Sequence, residues 1–258
     1  MSGLEFFPDS SPAQLPADVG VVMPTVLRSG RIAEAVASVF NQAFPGRIQL
    51  MIGVDLVGPD LPMLRETLEQ RPSNVSALIL RLPYSTSVRN GGVYNPLDGG
   101  TLRAVLSLMS NSRQVAYLDD DNVWLPDHLA SLTTAIGNHA WVYSQRMLVD
   151  AETGQDLCVD RWHSAGPDAG EFAPFGGFVD TNCLLVNNAR IAAELGSWAQ
   201  TVDAKPGNSS DKRFFLSISR LPHTRVDMAT VRYRIRRTNR LWLHLSKIGA
   251  FQEVPTRR

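Results

Sequence analysis

The sequence predicts a single α/β domain built on a Rossmann-like mixed sheet flanked by helices, and three observations support this fold class. The 258 residues suit one domain, and 44% hydrophobic against 19% charged residues allows a sizeable core. Within residues 18–126, short apolar runs alternate with segments of helical periodicity, which is typical of parallel strands joined by helices. Polar side chains follow several of these runs, at the sheet edge where such folds bind ligands.

The first half of the chain contains the clearest elements. Residues 1–17 are rich in Pro, Ser and Asp and are expected to form an irregular lead-in. A polar, Gly-rich loop is expected at residues 84–100. Apolar spacing predicts strands at 19–23, 48–54, 75–82 and 115–118, and helices at 32–40, 61–70 and 102–109.

The second half, residues 127–258, is less regular. Strands are expected at 140–149 and 178–186, separated by a long connection over residues 157–177. Residues 226–236 alternate apolar side chains with arginines, which predicts a strand with one wet, basic face. That face is either simply solvated or a surface for an acceptor, a phosphate or a membrane.

Residues 119–121 are three consecutive aspartates that follow an apolar run. Like charges this close repel one another and require a positive partner, and carboxylate oxygens are the ligands that Mg²⁺ and Mn²⁺ prefer. Thr25 and Asp55 follow the first two predicted strands in the same way. Carboxyl ends of parallel strands meet at one edge, so we expect these side chains to converge there. The alternative is a polar turn with ordinary strand-end residues.

Charge and cysteine content narrow the class of protein. The 25 basic and 25 acidic residues give a formal net charge of zero, so no global field draws the chain to nucleic acid. Cys158 and Cys183 form no disulfide framework or zinc signature and fit a reduced compartment. The N-terminus lacks a signal-peptide pattern, and no run has the length of a transmembrane segment. We expect a soluble, cytoplasmic protein, compatible with peripheral membrane contact.

Four motifs stand out along the chain. They are Val21-Val22-Met23-Pro24-Thr25 with the downstream Ala37-Ser38-Val39-Phe40-Asn41-Gln42; Ile52-Gly53-Val54-Asp55; Tyr117-Leu118-Asp119-Asp120-Asp121-Asn122-Val123-Trp124-Leu125-Pro126-Asp127-His128-Leu129; and Asp211-Lys212-Arg213-Phe214-Phe215. Together they resemble the inverting family 2 glycosyltransferases, which have the GT-A (nucleotide-diphospho-sugar transferase) fold. The last two motifs are similar to the spore-coat polysaccharide biosynthesis glycosyltransferase type.

The resemblance implies an activity. One sugar would move, with inversion, from a nucleotide-diphosphate sugar carrying UDP, dTDP or GDP to an acceptor hydroxyl on a saccharide or a lipid-linked molecule. A divalent metal, Mn²⁺ or Mg²⁺, would be the cofactor. Residues 18–126 would bind the nucleotide sugar and residues 127–258 the acceptor. A processive membrane synthase is not expected, because a Gln-x-x-Arg-Trp motif and transmembrane segments are missing.

The resemblance also implies the roles of individual residues. Asp121 would hold the metal, supported by Asp119 directly or through water. Asp211 would take the proton from the acceptor hydroxyl, with Asp180 as the alternative base. The nucleotide-sugar-binding residues would be Pro24, Thr25, Asp55, Arg103, Asp119 and Asp120.

Other interpretations remain open from the sequence. Asp211 is also explained as an ordinary first-turn acid of a helix, and Arg103 as a surface arginine. A sugar nucleotidyltransferase would show a Gly-rich basic loop after the first strand, of which residues 27–31 are a poor version. A catalytically inactive nucleotide-sugar-binding module is the third alternative. Four aromatic residues either stack on sugar rings or pack under the long connection: Trp162, Phe172, Phe175 and Phe178.

Overall fold

The computed structural model describes residues 3–10, 15–55, 61–203 and 209–251. Within these ranges the strands are β1 (Gly3–Phe7), β2 (Ala17–Thr25), β3 (Ile48–Val54), β4 (Val75–Arg81), β5 (Ser112–Tyr117), β6 (Val123–Trp124), β7 (Trp141–Asp150), β8 (Asp156–Val159), β9 (Gly166–Pro167), β10 (Gly177–Phe178), β11 (Leu184–Asn187) and β12 (His223–Ile235). The α-helices are α1 (Ile32–Phe40), α2 (Leu61–Glu69), α3 (Gly100–Met109), α4 (His128–Ile136), α5 (Ser210–Ile218) and α6 (Arg240–Lys247).

Ten of these strands form one mixed sheet in the order β1-β4-β3-β2-β5-β11-β7-β12-β6, with β8 beside β7. The neighbours β4, β3, β2 and β5 are parallel, as the alternation of strands and helices predicted. β11 runs antiparallel between β5 and β7, and so joins the two halves of the chain in one sheet. β9 and β10 pair separately. The α/β fold class is therefore confirmed.

Apolar spacing explains the packing of the first half. α1 buries Ile32, Ala35 and Val39 at helical intervals, and β2 is buried along almost all its length. Gln42, just beyond α1, links this helix to the start of α4. Its Nε2 donates to the Leu125 carbonyl at 2.8 Å, and its Oε1 accepts from the N–H of Leu129 at 2.8 Å. Residues of the first and third motifs therefore hold the fold together.

The carboxyl ends of β2, β3 and β5 lie side by side at one edge of the sheet. The N–H of Asp55 donates to the carbonyl of Thr25 at 3.0 Å, and the N–H of Leu118 donates to Val22 at 3.1 Å. These bonds extend the ladder to the residue that follows β3 and to the residue that follows β5. The polar side chains that follow the strands consequently begin at the same level.

Several expectations were wrong in detail. The lead-in is not wholly irregular, because β1 pairs antiparallel with the otherwise open edge of β4. The strand expected at 178–186 is interrupted by a 3-10 turn, Thr181–Cys183, where the Asp180 carboxylate accepts from the N–H of Asn182 at 3.0 Å. The connection at 157–177 contains β9 and a 3-10 turn, Gly170–Phe175, and is not a structureless loop.

The basic face of β12 is only partly wet. Arg232 forms an ion pair with Asp156 at 2.7 Å. Arg234 pairs with Glu34 and donates to the carbonyl of Asp121 at 2.7 Å, so this arginine faces the carboxyl edge of the sheet. Beyond β12 the chain forms α6, a helix that the sequence analysis did not predict. Across the described ranges, every helix is too short or too polar to cross a bilayer.

Candidate functional site

A cleft of about 400 Å³ opens at the carboxyl edge of the sheet, a volume typical of small-molecule sites. The structure brings the predicted nucleotide-sugar, metal and base residues to its wall, although their roles stay predictions. These are Pro24, Thr25, Asp55, Arg103, Asp119, Asp120, Asp121, Asp180 and Asp211. They come from both halves of the chain, and only the folding of the chain brings them together.

Asp119 is occupied by protein partners. Its Oδ1 pairs with the guanidinium of Arg103, and its Oδ2 accepts from Nδ2 of Asn182 at 2.8 Å. Asn182 also fixes the backbone, since its Oδ1 accepts from the N–H of Asp119 at 2.7 Å. The positive partner required by three adjacent carboxylates is thus an arginine at this position. Support of a metal by Asp119, directly or through water, stays a prediction.

Arg103 lies beneath the cleft and does not project from it. Only 4% of the residue is exposed, so it is not a surface arginine. Besides Asp119, its guanidinium donates to the carbonyl of Asp98 at 2.7 Å. Its Nε has no hydrogen-bond partner within the described residues. Arg103 therefore holds Asp119 and the Gly-rich loop in place. A direct contact between Arg103 and the nucleotide stays a prediction.

Asp120 is held by the end of β2. The hydroxyl of Thr25 donates to its Oδ2 at 2.5 Å and accepts from the N–H of Leu27 at 2.8 Å. Leu27 is fully buried and has a left-handed backbone (φ 53°), so the chain turns sharply after the strand. The turn places Thr25 and Asp120 on the same wall of the cleft.

Asp121 has a different environment. Within the described residues its carboxylate receives no ion pair or side-chain hydrogen bond, although Arg234 is near. The pKa of Asp121 is raised to about 6, chiefly by burial and then by the charges of Asp119 and Asp120, while Arg234 opposes the shift. A cation that binds beside this carboxylate would stabilise its ionised form.

The expectation that Asp121 holds a metal stays a prediction. In the part of the chain that the structure describes, no group of three or more His, Cys, Asp or Glu side chains has a metal-binding arrangement. Asp119 and Asp120 bind protein groups through their carboxylates. The carboxylate of Asp121, which has no side-chain partner within the described residues, fits a cation shared with a diphosphate, because Mg²⁺ usually takes one or two carboxylates with substrate phosphates and water.

Asp55 shapes the Gly-rich loop. Its Oδ2 accepts from the hydroxyl of Ser85 at 2.7 Å, and its Oδ1 accepts from the N–H of Thr86 at 2.9 Å. The loop then makes a 3-10 turn, Val88–Asn90, and returns to the cleft wall. Asp55 was expected to accept from a nucleotide base, and its established partners are these loop groups.

Asp211 lies in the first turn of α5, whose Phe214 and Phe215 are buried and anchor the helix. Ser209 caps the helix and donates a short hydrogen bond to Asp211 Oδ1. The pKa of Asp211 is raised to about 6, chiefly by burial and then by the charges of Asp98 and Asp180, while Ser209 and Arg103 oppose the shift. A carboxyl that titrates near neutrality in a cleft is suited to proton transfer.

Asp180 is poorly placed to act as a free base. Its Oδ2 accepts from Arg146 at 2.5 Å, and Arg146 also donates to Asp160 at 2.8 Å. All three side chains are at most 7% exposed. Burial raises the pKa of Asp180, and Arg146 opposes that shift. The interactions indicate a structural role beneath the cleft.

Sequence reasoning missed Asp98 and Asn182, which organise the cleft. Asp98 precedes the Gly-Gly pair at the start of α3, and an acidic residue just before a helix was the available signal. Asn182 carried no such signal, since its partners come from elsewhere in the chain. Of the aromatic candidates, Phe178 is buried and Phe172 packs on it at 5.9 Å, while Phe175 is 66% exposed.

No protein-family model and no curated relative matches the sequence. Solved structures do match the fold. The crystal structure of S. aureus TarS 1-349 has a TM-score of 0.62 at 14% identity, covering 84% of this chain and 60% of that chain. Its complex with UDP-GlcNAc has a TM-score of 0.62 at 13% identity, covering 86% and 60%.

A third match is the mannosyltransferase PcManGT from Pyrobaculum calidifontis in complex with GDP-Man and Mn²⁺. Its TM-score is 0.55 at 13% identity, covering 95% of this chain and 70% of that chain. The present chain thus spans about 60% of the length of the TarS 1-349 structures. At these identities the matches establish the fold: a mixed α/β architecture shared with glycosyltransferases of known structure.

Proposed function

We propose that the chain is a metal-dependent glycosyltransferase that moves one sugar from a nucleotide-diphosphate sugar to an acceptor hydroxyl with inversion. The observation that carries the proposal is the shared cleft. It joins a carboxylate suited to a cation, Asp121, with a carboxylate suited to a base, Asp211, at the carboxyl edge of the parallel strands. Assignment to family 2 follows from the motifs and is part of the proposal.

Donor binding is assigned to the wall built by β2, β3 and the Gly-rich loop. Pro24, Thr25 and Asp55 would border the base, and Asp120 would face the ribose. UDP-GlcNAc and GDP-Man are bound by structural neighbours with the same fold, which supports a nucleotide sugar as the ligand class. Which base and which sugar are taken depends on the loop at 89–100.

Asp121 would hold Mn²⁺ or Mg²⁺ together with the diphosphate. A bound cation acts as a Lewis acid and stabilises the charge that grows on the leaving diphosphate. The protein would contribute the carboxylate of Asp121, beside Asp119 in its ion pair with Arg103. PcManGT, which was solved with GDP-Man and Mn²⁺, supports a divalent metal in a site of this fold.

Asp211 would accept the proton of the acceptor hydroxyl. As the hydroxyl oxygen bonds to the anomeric carbon, the bond from that carbon to the diphosphate oxygen breaks, and the proton passes to the Asp211 carboxylate. Attack opposite the leaving group inverts the anomeric configuration. A base with a pKa of about 6 is ionised at neutral pH and still takes a proton readily.

Donor screening tests the proposal. UDP, GDP, dTDP and CDP are each added with and without Mn²⁺, and the true nucleotide should raise the melting temperature most when the metal is present. Turnover is then measured with sugars of that nucleotide, and product NMR should show the anomeric configuration opposite to the donor. Retention of configuration would reject direct displacement.

Asp211→Asn is the key variant. We expect kcat to fall by about 10²–10⁴-fold while donor affinity stays within about twofold, because the carboxylate acts only in proton transfer. Asp227→Asn is the matched control, since that carboxylate is 81% exposed on β12, outside the cleft. Donor binding without turnover in the wild type would instead identify a nucleotide-sugar-binding module.

A further inference from the structure

We propose that Asp98 is a positioning residue for Asp211: it ties the N-terminus of α5 to the Gly-rich loop and sets where the Asp211 carboxylate stands in the cleft. The inference rests on the proposed function, because it takes Asp211 as the base. It assigns a role to a residue that neither the motifs nor the structural matches single out.

The contacts of Asp98 with α5 are direct. Its Oδ2 accepts from the N–H of Ser210 at 2.9 Å, and its Oδ1 accepts from the hydroxyl of Ser210 at 2.7 Å. Ser210 is the first residue of α5 and precedes Asp211. The first N–H groups of a helix lack intrahelical partners, and the helix dipole favours a negative charge there. Asp98 supplies that acceptor from a distant part of the chain.

The same residue is fixed from the donor side. Its carbonyl accepts from Arg103 at 2.7 Å, and Arg103 holds Asp119. The loop itself is pressed against β2: at Gly99, which has φ 79°, a Cβ would lie 2.7 Å from the Cβ of Pro24. Asp98 therefore has little freedom to move. Because it binds both the donor side of the cleft and the start of α5, it fixes the position of the helix that carries Asp211.

Asp98 also acts on Asp211 through its charge. The groups that face Asp211 are the carboxylates of Asp98 and Asp180, the guanidinium of Arg103 and the hydroxyl of Ser209. Burial is the largest cause of the raised pKa of Asp211, and Asp98 is the next. Removing the charge of Asp98 should therefore lower the pKa of the base, which must be ionised to act.

Two substitutions separate position from charge. Asp98→Ala removes both acceptors from Ser210, and we expect kcat to fall about 10–100-fold with the donor KM changed by less than about threefold, as for a misplaced catalytic group. Asp98→Asn keeps a carbonyl acceptor for the N–H of Ser210, and its amide can donate to the Ser210 hydroxyl. This variant should regain most of kcat, with the acid limb of its pH profile moved to lower pH.

Asp18→Ala is the matched control. Asp18 likewise accepts from a backbone N–H, that of Arg47 at 2.9 Å, and faces an arginine, Arg113, at 3.4 Å, but it lies at the opposite end of β2. We expect its kcat and pH profile to match the wild type. If Asp98→Ala fails to fold, the pH profile of Asp98→Asn alone decides.

An unshifted acid limb in Asp98→Asn, or an unchanged kcat in Asp98→Ala, would overturn the inference. A double variant adds a test of coupling. In the Asp211→Asn background, Asp98→Ala should lower the residual rate by less than about twofold, because both changes act on one step. A further full loss would show that Asp98 acts elsewhere. If Asp211→Asn alone keeps full activity, the proposed function fails at its base and this inference fails with it.

Discussion

At the scale of single residues, the three aspartates at 119–121 show how neighbours diverge. Asp119 is neutralised by Arg103, Asp120 is bound by Thr25, and Asp121 keeps a carboxylate without a side-chain partner within the described residues. As residue types in the sequence, the three are identical acids. Their different partners come from different strands and helices, and those partners leave one of the three available to a cation.

A pH-dependent metal response should follow from Asp121. Its folded-state pKa of about 6 exceeds the ordinary 3.8, so without a cation its contribution to stability is lost as pH rises through that range. A cation binds the ionised form, so the rise in melting temperature caused by Mn²⁺ should be small at pH 5 and large at pH 7.5.

Asp121→Asn should remove this response, and Asp127→Asn, six residues further on and outside the cleft lining, should keep it. Melting curves with and without Mn²⁺ across this pH range make the measurement. An equal Mn²⁺ shift in Asp121→Asn and the wild type would contradict the metal role of Asp121.

At the scale of elements, the cleft depends on how α3 meets α5. Both helices begin at the cleft, and their first residues touch: a Cβ at Gly100 would lie 2.2 Å from Oγ of Ser210 and 2.3 Å from the carbonyl of Trp198. Trp198 belongs to the 3-10 turn Leu195–Ala199, which packs between the two helices. A glycine is therefore required at the start of α3 for a packing reason.

Gly100→Ala should separate the two helices. Alanine favours a helix by about 1 kcal/mol over glycine, but the clash should reverse the sign and cost about 1–3 kcal/mol of folding free energy. Gly196→Ala is the control, because a Cβ there meets nothing within 4 Å. Urea unfolding and kcat measure the two effects; a Gly100→Ala protein as stable and active as the control would contradict this packing argument.

At the scale of the whole molecule, one buried ionic network joins β7 to two later segments of the chain. Arg146 of β7 pairs with Asp160, beyond β8, and with Asp180, beyond β10. The Asp160 carboxylate also accepts from three backbone N–H groups of the long connection, at 2.9–3.1 Å. The network fixes the long connection to the sheet under the cleft.

Arg146→Met should be strongly destabilising, by about 3–5 kcal/mol, because it leaves two carboxylates buried without their cation. Arg113→Met, which removes an exposed pair with Asp18, should cost no more than about 1 kcal/mol. Urea unfolding of both variants gives the comparison. A loss in Arg146→Met as small as in Arg113→Met would mean that the network adds little to folding.

The sequence predicted the parallel strands and their helices well, because apolar periodicity reflects which face each element buries. It failed where pairing with a distant segment decides the structure: β1 depends on the open edge of β4, and the break before β11 depends on the carboxylate of Asp180. Helix α6 was missed because Arg240 and Lys247 obscured the buried Leu241 and Leu245.

The amino-acid sequence by itself determined the α/β class, the strand ends at which the polar side chains emerge, and the residue types available for chemistry there. Only the tertiary structure decided how those residues are used, since groups far away along the chain act on them. Arg103 is 16 positions from Asp119, Ser85 is 30 from Asp55, and Asp98 is 113 from Asp211. Hydrophobic periodicity is a local property that can be read directly from the sequence. Charge pairing and pKa depend on distances in space, and these exist only once the chain has folded.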